Sequence, residues 1–179
     1  MDTYNDIELV TLSVDGDTEA FAHLVKRHYM TVYKAAYKWC GIREDAEDIT
    51  HEVFVKLAQK VKTFRQKSSF KTWLYRITIN TAKDFHRKHA IKHTYETAFA
   101  LEQSPGNPTP QIDEHLDAVR LYKALNKLPE KQKSAILLVF AEGLNHREAA
   151  QVLNCAETTV SWRIFQARKR LKKSMEHEI

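Results

Sequence analysis

The stretch NHREAAQVLNCAETTVSWRIFQARKRLKK, residues 145–173, decides the fold. Asn145 and Glu148 stand at capping-box spacing and open a short helix over residues 146–153. Asn154 and Cys155 make a tight turn, and a longer basic helix follows over about Glu157 to Ser174. A short helix, a turn and a longer basic helix describe a helix-turn-helix. Ala149, Ala150, Leu153, Val160 and Ile164 fall where the two helices would pack, and the small alanines let the backbones approach. Thr158 and Thr159 open the second helix, where hydroxyls and N–H groups can meet a phosphate. Ser161, Trp162, Arg163, Phe165, Gln166 and Arg168 follow. Arg and Gln have the geometry to read base edges in a major groove, and Lys169, Arg170, Lys172 and Lys173 extend the positive surface. The plain alternative is a helical hairpin with a basic tail.

Upstream, LPEKQKSAILLVFAEG (128–143) reads as another helix, with Pro129 in its first turn and Gly143 at its stop. A further helical segment covers about Leu116 to Leu125. Before it, residues 94–117 (TYETAFALEQSPGNPTPQIDEHLD) hold three of the four prolines and neither Lys nor Arg, the composition of a linker. The expected organisation is an N-terminal unit over 1–93, a flexible acidic linker over 94–115 and a C-terminal unit over 116–179. Extended, such a linker reaches roughly 70–80 Å.

The N-terminal unit also reads as helices. Asp17 can cap a helix with the apolar stripe Phe21, Leu24, Val25, Val32 and Ala36, which Gly41 ends. A second helix runs from about Arg43 to Lys60 on Ala46, Ile49, Val53, Phe54 and Leu57. A loop covers Phe64 to Ser69. A third helix, about Phe70 to His89, buries Phe70, Leu74 and Ile77. The expected fold is therefore all-α: two small helical domains, the second a helix-turn-helix. Only four Gly and four Pro in 179 residues agree, since turns are scarce.

Charge is unevenly placed. Residues 1–59 carry 6 basic and 11 acidic side chains, residues 60–93 carry 10 and 1, and residues 118–179 carry 12 and 6. Two basic blocks on folded elements suggest a polyanion partner, against the plainer reading of solvated surface. In residues 63–89, Phe64, Phe70, Trp73, Tyr75 and Phe85 sit among Arg65, Lys67, Lys71, Arg76, Lys83 and Arg87. Aromatic faces can stack on unpaired bases while cations hold phosphates; equally, Phe70 and Trp73 can be core. The acids Glu44, Asp45, Asp48 and Glu52 oppose an apolar face and fit either a basic protein partner or solvent.

Other classes are disfavoured. No apolar run is long enough for a membrane span, and the acidic start of the chain does not read as a secretion signal. Cys40 and Cys155 read as free thiols of a reducing cytoplasm. His86, His89 and His93 can share a helix face, but a basic nucleic-acid-facing surface is preferred to a metal site. There is no phosphate-cradling Gly loop and no nucleophile elbow. No cofactor, metal, small-molecule substrate or enzymatic activity is expected.

Three segments together, DAEDITHEVFVKL (45–57), FRQKSSFKTWLYRITINTAKD (64–84) and LPEKQKSAILLVFAEGLNHREAAQVLNCAETTVSWRIFQARKRL (128–171), resemble a bacterial extracytoplasmic-function (ECF) sigma factor of the sigma-70 superfamily. The resemblance covers about residues 5–93 and 116–175. It implies a dissociable, cytoplasmic promoter-recognition subunit of RNA polymerase. Its first domain would read the melted minus-ten element and its second the minus-thirty-five duplex. By position, the resemblance implies that Asp45, Asp48, His51, Glu52 and Phe54 meet the clamp helices of the largest polymerase subunit, with the flap of the second-largest subunit a further contact. Phe64, Arg65, Lys67, Ser68 and Ser69 would hold an extruded base, and Trp73, Arg76 and Asn80 would face the opening strand. Thr158, Thr159, Ser161, Trp162, Arg163, Phe165, Gln166 and Arg168 would face the upstream element. An anti-sigma factor, often membrane-bound, is also implied. The chain departs from the family pattern at His51, usually Gln, at Ser161, often basic, and at Trp162, often small. The competing reading is a stand-alone helix-turn-helix regulator, which normally needs a dimerisation element not evident here.

Overall fold

The computed structural model describes the backbone over residues 4–102 and 120–176, and side chains over 4–89 and 120–175. All regular structure among these residues is helical. The chain divides into two compact units, Met1–Lys88 and His89–Ile179.

The first unit starts with α1 (Asp6–Val14), an element that the sequence pattern above does not mark. Its signal is short: Asn5 accepts from the amides of Ile7 and Glu8 at 2.9 and 3.0 Å, and Glu8 reaches back to the Asn5 amide at 2.7 Å. That reciprocal cap satisfies helix-end donors that would otherwise face water alone. Helix α2 (Thr18–Cys40) is capped by Asp17 and stopped by Gly41, whose φ of 74° lies in the left-handed region. Helix α3 spans Arg43–Lys60 and runs into a 3-10 turn at Val61–Thr63.

Helix α4 spans Phe70–Glu102. Ser69 caps it: its hydroxyl accepts from the Thr72 amide at 3.1 Å, and its carbonyl accepts from the Trp73 amide at 3.1 Å. The helix is longer than expected and continues through residues 94–102, because TYETAFALE contains neither Gly nor Pro to break it. Residues 103–115 of the expected linker lie outside the described residues.

Leu9, Leu24, Ile49, Leu57 and Leu74 are at most 1% exposed and draw all four helices onto one core. Thr50 and Thr78 enter that core because each hydroxyl donates to the carbonyl one turn back, at 2.6 and 3.0 Å. Helix α1 is pinned to α2 by Asp6, which pairs with Arg27 at 2.9 Å and with His28 at 3.0 Å. The buried His28 ring lies 5.2 Å from Phe70, so this tie reaches the start of α4.

The second unit holds a helical segment over 120–126 (α5), α6 (Glu130–Ile136), a π-helical turn at Leu137–Ala141, α7 (His146–Leu153) and α8 (Glu157–Glu176). Pro129 takes the cap position before α6. Leu128, Ile136 and Ala167 form the core, with Leu125 and Leu171 against it. Ala149, Ala150, Val160 and Ile164 are buried as expected, and Val152 is buried while Leu153 is only half-buried. Asn154, at φ 49°, makes the turn.

The expected capping box opens α7, with Asn145 and Glu148 exchanging bonds of 2.9 Å each. Asn145→Ala is therefore expected to cost about 1 kcal/mol. In a unit of this size that corresponds to a loss of about 4–8 °C in Tm. Thermal unfolding followed by circular dichroism checks this, and an unchanged Tm would show that the cap contributes nothing.

Candidate nucleic-acid and protein interfaces

In the first unit, the end of α3 and the outer side of α4 enclose a groove of about 450 Å³. Trp73, Arg76 and Asn80 line it together, because positions three and four apart share a helix face. The groove brings together these three expected strand-facing residues. It also recruits Lys56, Lys60 and Thr63 from the α3 end, which the sequence reading leaves out, and Arg87 from further along α4. Lys56 and Lys60 are four apart at the basic end of an otherwise acidic helix, a spacing that puts them on one face without revealing the α4 residues they join. Four cations against one carboxylate, Asp84, line the groove. Asp84 lies 3.8 Å from Arg87.

The loop before α4 is partly core. Phe64 packs against Trp73 at 5.2 Å and Phe70 at 5.6 Å between ring centroids. Phe70 is buried; Phe64 and Trp73 are only half-buried. The two readings of these aromatics thus divide by residue. Arg65 and Lys67 are exposed, Ser68 is half-buried, and Ser69 is exposed yet engaged as the cap. Gln66 between them has φ 54°. A non-glycine residue held there costs on the order of 1 kcal/mol and persists only where its surroundings impose it, which is common at binding loops.

The outer stripe of α3 is acidic. Asp48 and His51 are exposed, as are Glu44 and Glu47, and Val55 interrupts the stripe at 46% exposure. At 100° per residue, Asp45 and Glu52 fall on one flank of this stripe and Phe54 on the other. All three are half-buried. Phe54 stacks on Tyr29 of α2, centroids 6.0 Å apart and planes 8° from parallel. Glu47 pairs with Arg43 at 3.0 Å and, chiefly through that hydrogen bond, raises the guanidinium above its usual value.

In the second unit, α8 buries Val160, Ile164 and Ala167 and turns Thr158, Trp162, Phe165 and Lys169 outward. Trp162 is 58% and Phe165 63% exposed, unusual for large apolar side chains on a cationic helix. Thr159 is half-buried and its amide donates to the Ala156 carbonyl at 3.0 Å. Ser161 is exposed, and its hydroxyl lies 2.8 Å from His146 Nδ1. Gln166 is half-buried beside the outward stripe. Arg163 is turned from that stripe toward the turn between α7 and α8 and donates from Nη1 to Cys155 Sγ at 3.5 Å. Arg168 lies 4.7 Å over the ring of Phe140, which sits 55% exposed on the π-helical turn.

Among the described residues, no group of three or more His, Cys, Asp or Glu is placed to hold a metal, and His93 of the histidine trio lies beyond the described side chains. No described helix is long and apolar enough to cross a membrane.

Comparison with known proteins finds two family matches in chain order. Residues 24–91 match Sigma-70 region 2, and residues 118–171 match Sigma-70, region 4. The RNA polymerase sigma-H factor of Pseudomonas aeruginosa is 30% identical over 182 residues, covering 96% of this chain and 94% of the relative. The ECF RNA polymerase sigma-E factor of Escherichia coli K12 matches to the same extent. That of Haemophilus influenzae is 29% identical, covering 96% and 95%. Among solved structures, CnrH in complex with the cytosolic domain of CnrY is similar in fold, with a TM-score of 0.71 and 24% identity over 96% of this chain and 97% of that one.

Proposed function

The chain belongs to the ECF sigma factors of the sigma-70 family, and on that premise we propose how its two units divide the work of promoter-specific initiation. Residues 1–93 form the region 2 domain, which docks on core RNA polymerase and takes up the opening minus-ten strand. Residues 116–179 form the region 4 domain, which reads the minus-thirty-five duplex and meets the polymerase flap. Residues 94–115 connect them. The protein lends recognition to the polymerase in the cytoplasm and carries out no chemistry of its own.

The observation that supports this most is the groove that gathers Trp73 and Asn80 with four cations, Lys56, Lys60, Arg76 and Arg87. An indole face can stack on an unpaired base, and guanidinium and ammonium groups can hold the flanking phosphates. The α3 stripe around Asp48 and His51 suits a basic partner, and the adjoining Tyr29–Phe54 stack supplies apolar area beside it. Co-elution with core polymerase on size-exclusion chromatography tests the reading. A homodimer that binds duplex DNA and ignores polymerase would instead support a stand-alone regulator.

Reversing charge at Asp45 and Asp48 together is expected to weaken holoenzyme assembly about tenfold, because like charges placed against a basic surface repel. Helicity should not change, since neither residue is part of the core. Unchanged affinity would assign the acidic face to solvent. We also infer control by an anti-sigma protein, membrane-bound or soluble. The exposed Tyr29, Met30 and Val55 in one unit, and Phe140, Trp162 and Phe165 in the other, are apolar surface suited to such a cover. Affinity capture from uninduced cells should recover an inhibitor in equal amount with the chain, and recovery of polymerase alone would count against it.

A further inference from the structure

Lys56 stands at a junction. Its ammonium reaches Glu52 one turn back at 2.8 Å and the buried Thr81 hydroxyl of α4 at 3.2 Å. Its side chain is 27% exposed, and it lines the groove beside Lys60, Arg76 and Asn80. An ammonium has three donors. Two are spent on Glu52 and Thr81, which fix the nitrogen in the groove wall and leave a third for a ligand. A surface lysine on a flexible stem must be immobilised before it can hold a phosphate, whereas this one already is. Partial burial also spares it much of the screening that weakens an exposed cation.

We propose that Lys56 is a phosphate ligand of the single-stranded DNA in this groove, and that the Glu52 carboxylate, by partly neutralising the ammonium it holds, weakens that contact. The inference rests on the strand-reading role given to the groove above and adds a contact from α3, the helix otherwise assigned to protein docking. The groove's volume suits about one nucleotide. Its base would lie toward Trp73, and its phosphate would sit against Lys56. Thr81 is then a positioning residue, since it touches the ammonium and not the strand.

The test measures binding of the full-length chain to a fluorescein-labelled single-stranded DNA oligonucleotide by anisotropy, over a series of salt concentrations. Lys56→Met should weaken binding about fivefold at low salt and reduce the slope of log affinity on log salt by about 0.7, the loss of one phosphate contact to a single strand. Lys56→Arg, which keeps the charge, should retain the slope. Glu52→Gln should tighten binding about threefold, and that gain should vanish when Lys56→Met is also present. Circular dichroism of each variant confirms that the helices remain. An unchanged slope in Lys56→Met overturns the proposal. So does an equal gain from Glu52→Gln in both backgrounds, which would be a general field effect. Arg76→Ala separates the two levels of inference. If it weakens binding while Lys56→Met does not, only the Lys56 assignment falls. If neither variant changes binding, the groove holds no strand and the reading beneath it fails as well.

Discussion

Cleaving the chain within SPGNPTP, residues 104–110, is expected to lower promoter-specific initiation at least about a hundredfold while leaving both halves folded. Each unit has its own buried cluster, built on Leu24, Ile49, Leu57 and Leu74 in the first and on Leu128, Ile136 and Ala167 in the second. Neither core needs the connection to form. Binding at two promoter elements does need it. When one unit is seated, a connecting segment of this length holds the other at an effective concentration near millimolar, and loss of such a tether commonly costs 10²–10⁴ in overall affinity. With residues 94–102 helical and the remainder extended, the segment spans at most about 60 Å. That covers some 17 base pairs of duplex at about 3.4 Å each. A protease site placed in this stretch, cut before and after holoenzyme assembly, gives the measurement. Full-rate initiation from the two separated halves would show that the units act without the tether. Loss of helicity on cleavage would show that they are not independent domains.

The fold was legible where backbone chemistry is local. Asp17, Gly41, Asn145 and Gly143 mark helix ends, and the structure places ends there. The apolar stripe of α3 predicted Ala46, Ile49, Val53 and Leu57 as buried, as they are. Phe54 is only half-buried because it sits at the edge of that stripe and stacks on Tyr29, itself 42% exposed, rather than entering the core. Helix α1 escaped because its cap is an Asn5–Glu8 pair in a segment too short and too acidic to show a stripe. The groove was half legible. Trp73, Arg76 and Asn80 came from the family resemblance, and their spacing of three and four on one helix explains why they share a face. Lys56 and Lys60 come from a different helix, and only the packing of α3 on α4 brings them in. Arg163 shows the converse. Its chemistry suits base reading, but its angular position on α8 puts it beside Cys155, at the edge of the outward face.

That position bears on which residues read the upstream duplex. Replacing Trp162 and Phe165 together by alanine is expected to cost about 2–3 kcal/mol at the upstream element, the range of buried aromatic anchors at interfaces. That is roughly a 30- to 150-fold loss of promoter affinity. The two residues are three apart, project from one face and are more than half exposed, so their removal should leave the core intact. In a major groove such rings pack on thymine methyls. Lys169 continues the outward stripe, and Arg168, stacked on Phe140, flanks it where phosphates would run. Arg163→Ala should cost about 1 kcal/mol, the low end for a base contact. Its guanidinium must first leave Cys155, and a thiol is a weak enough acceptor to release it. Both losses should depend on the upstream element and disappear when that element is scrambled. Changes at Phe64 or Asn80 should instead impair opening downstream, because their proposed contacts need an unpaired strand. The decisive measurement is initiation from duplex and premelted templates with each element scrambled in turn. A premelted template should rescue the Asn80 defect in part and the Trp162/Phe165 defect not at all. If the aromatic pair mattered equally with and without the upstream element, α8 would not be reading that sequence.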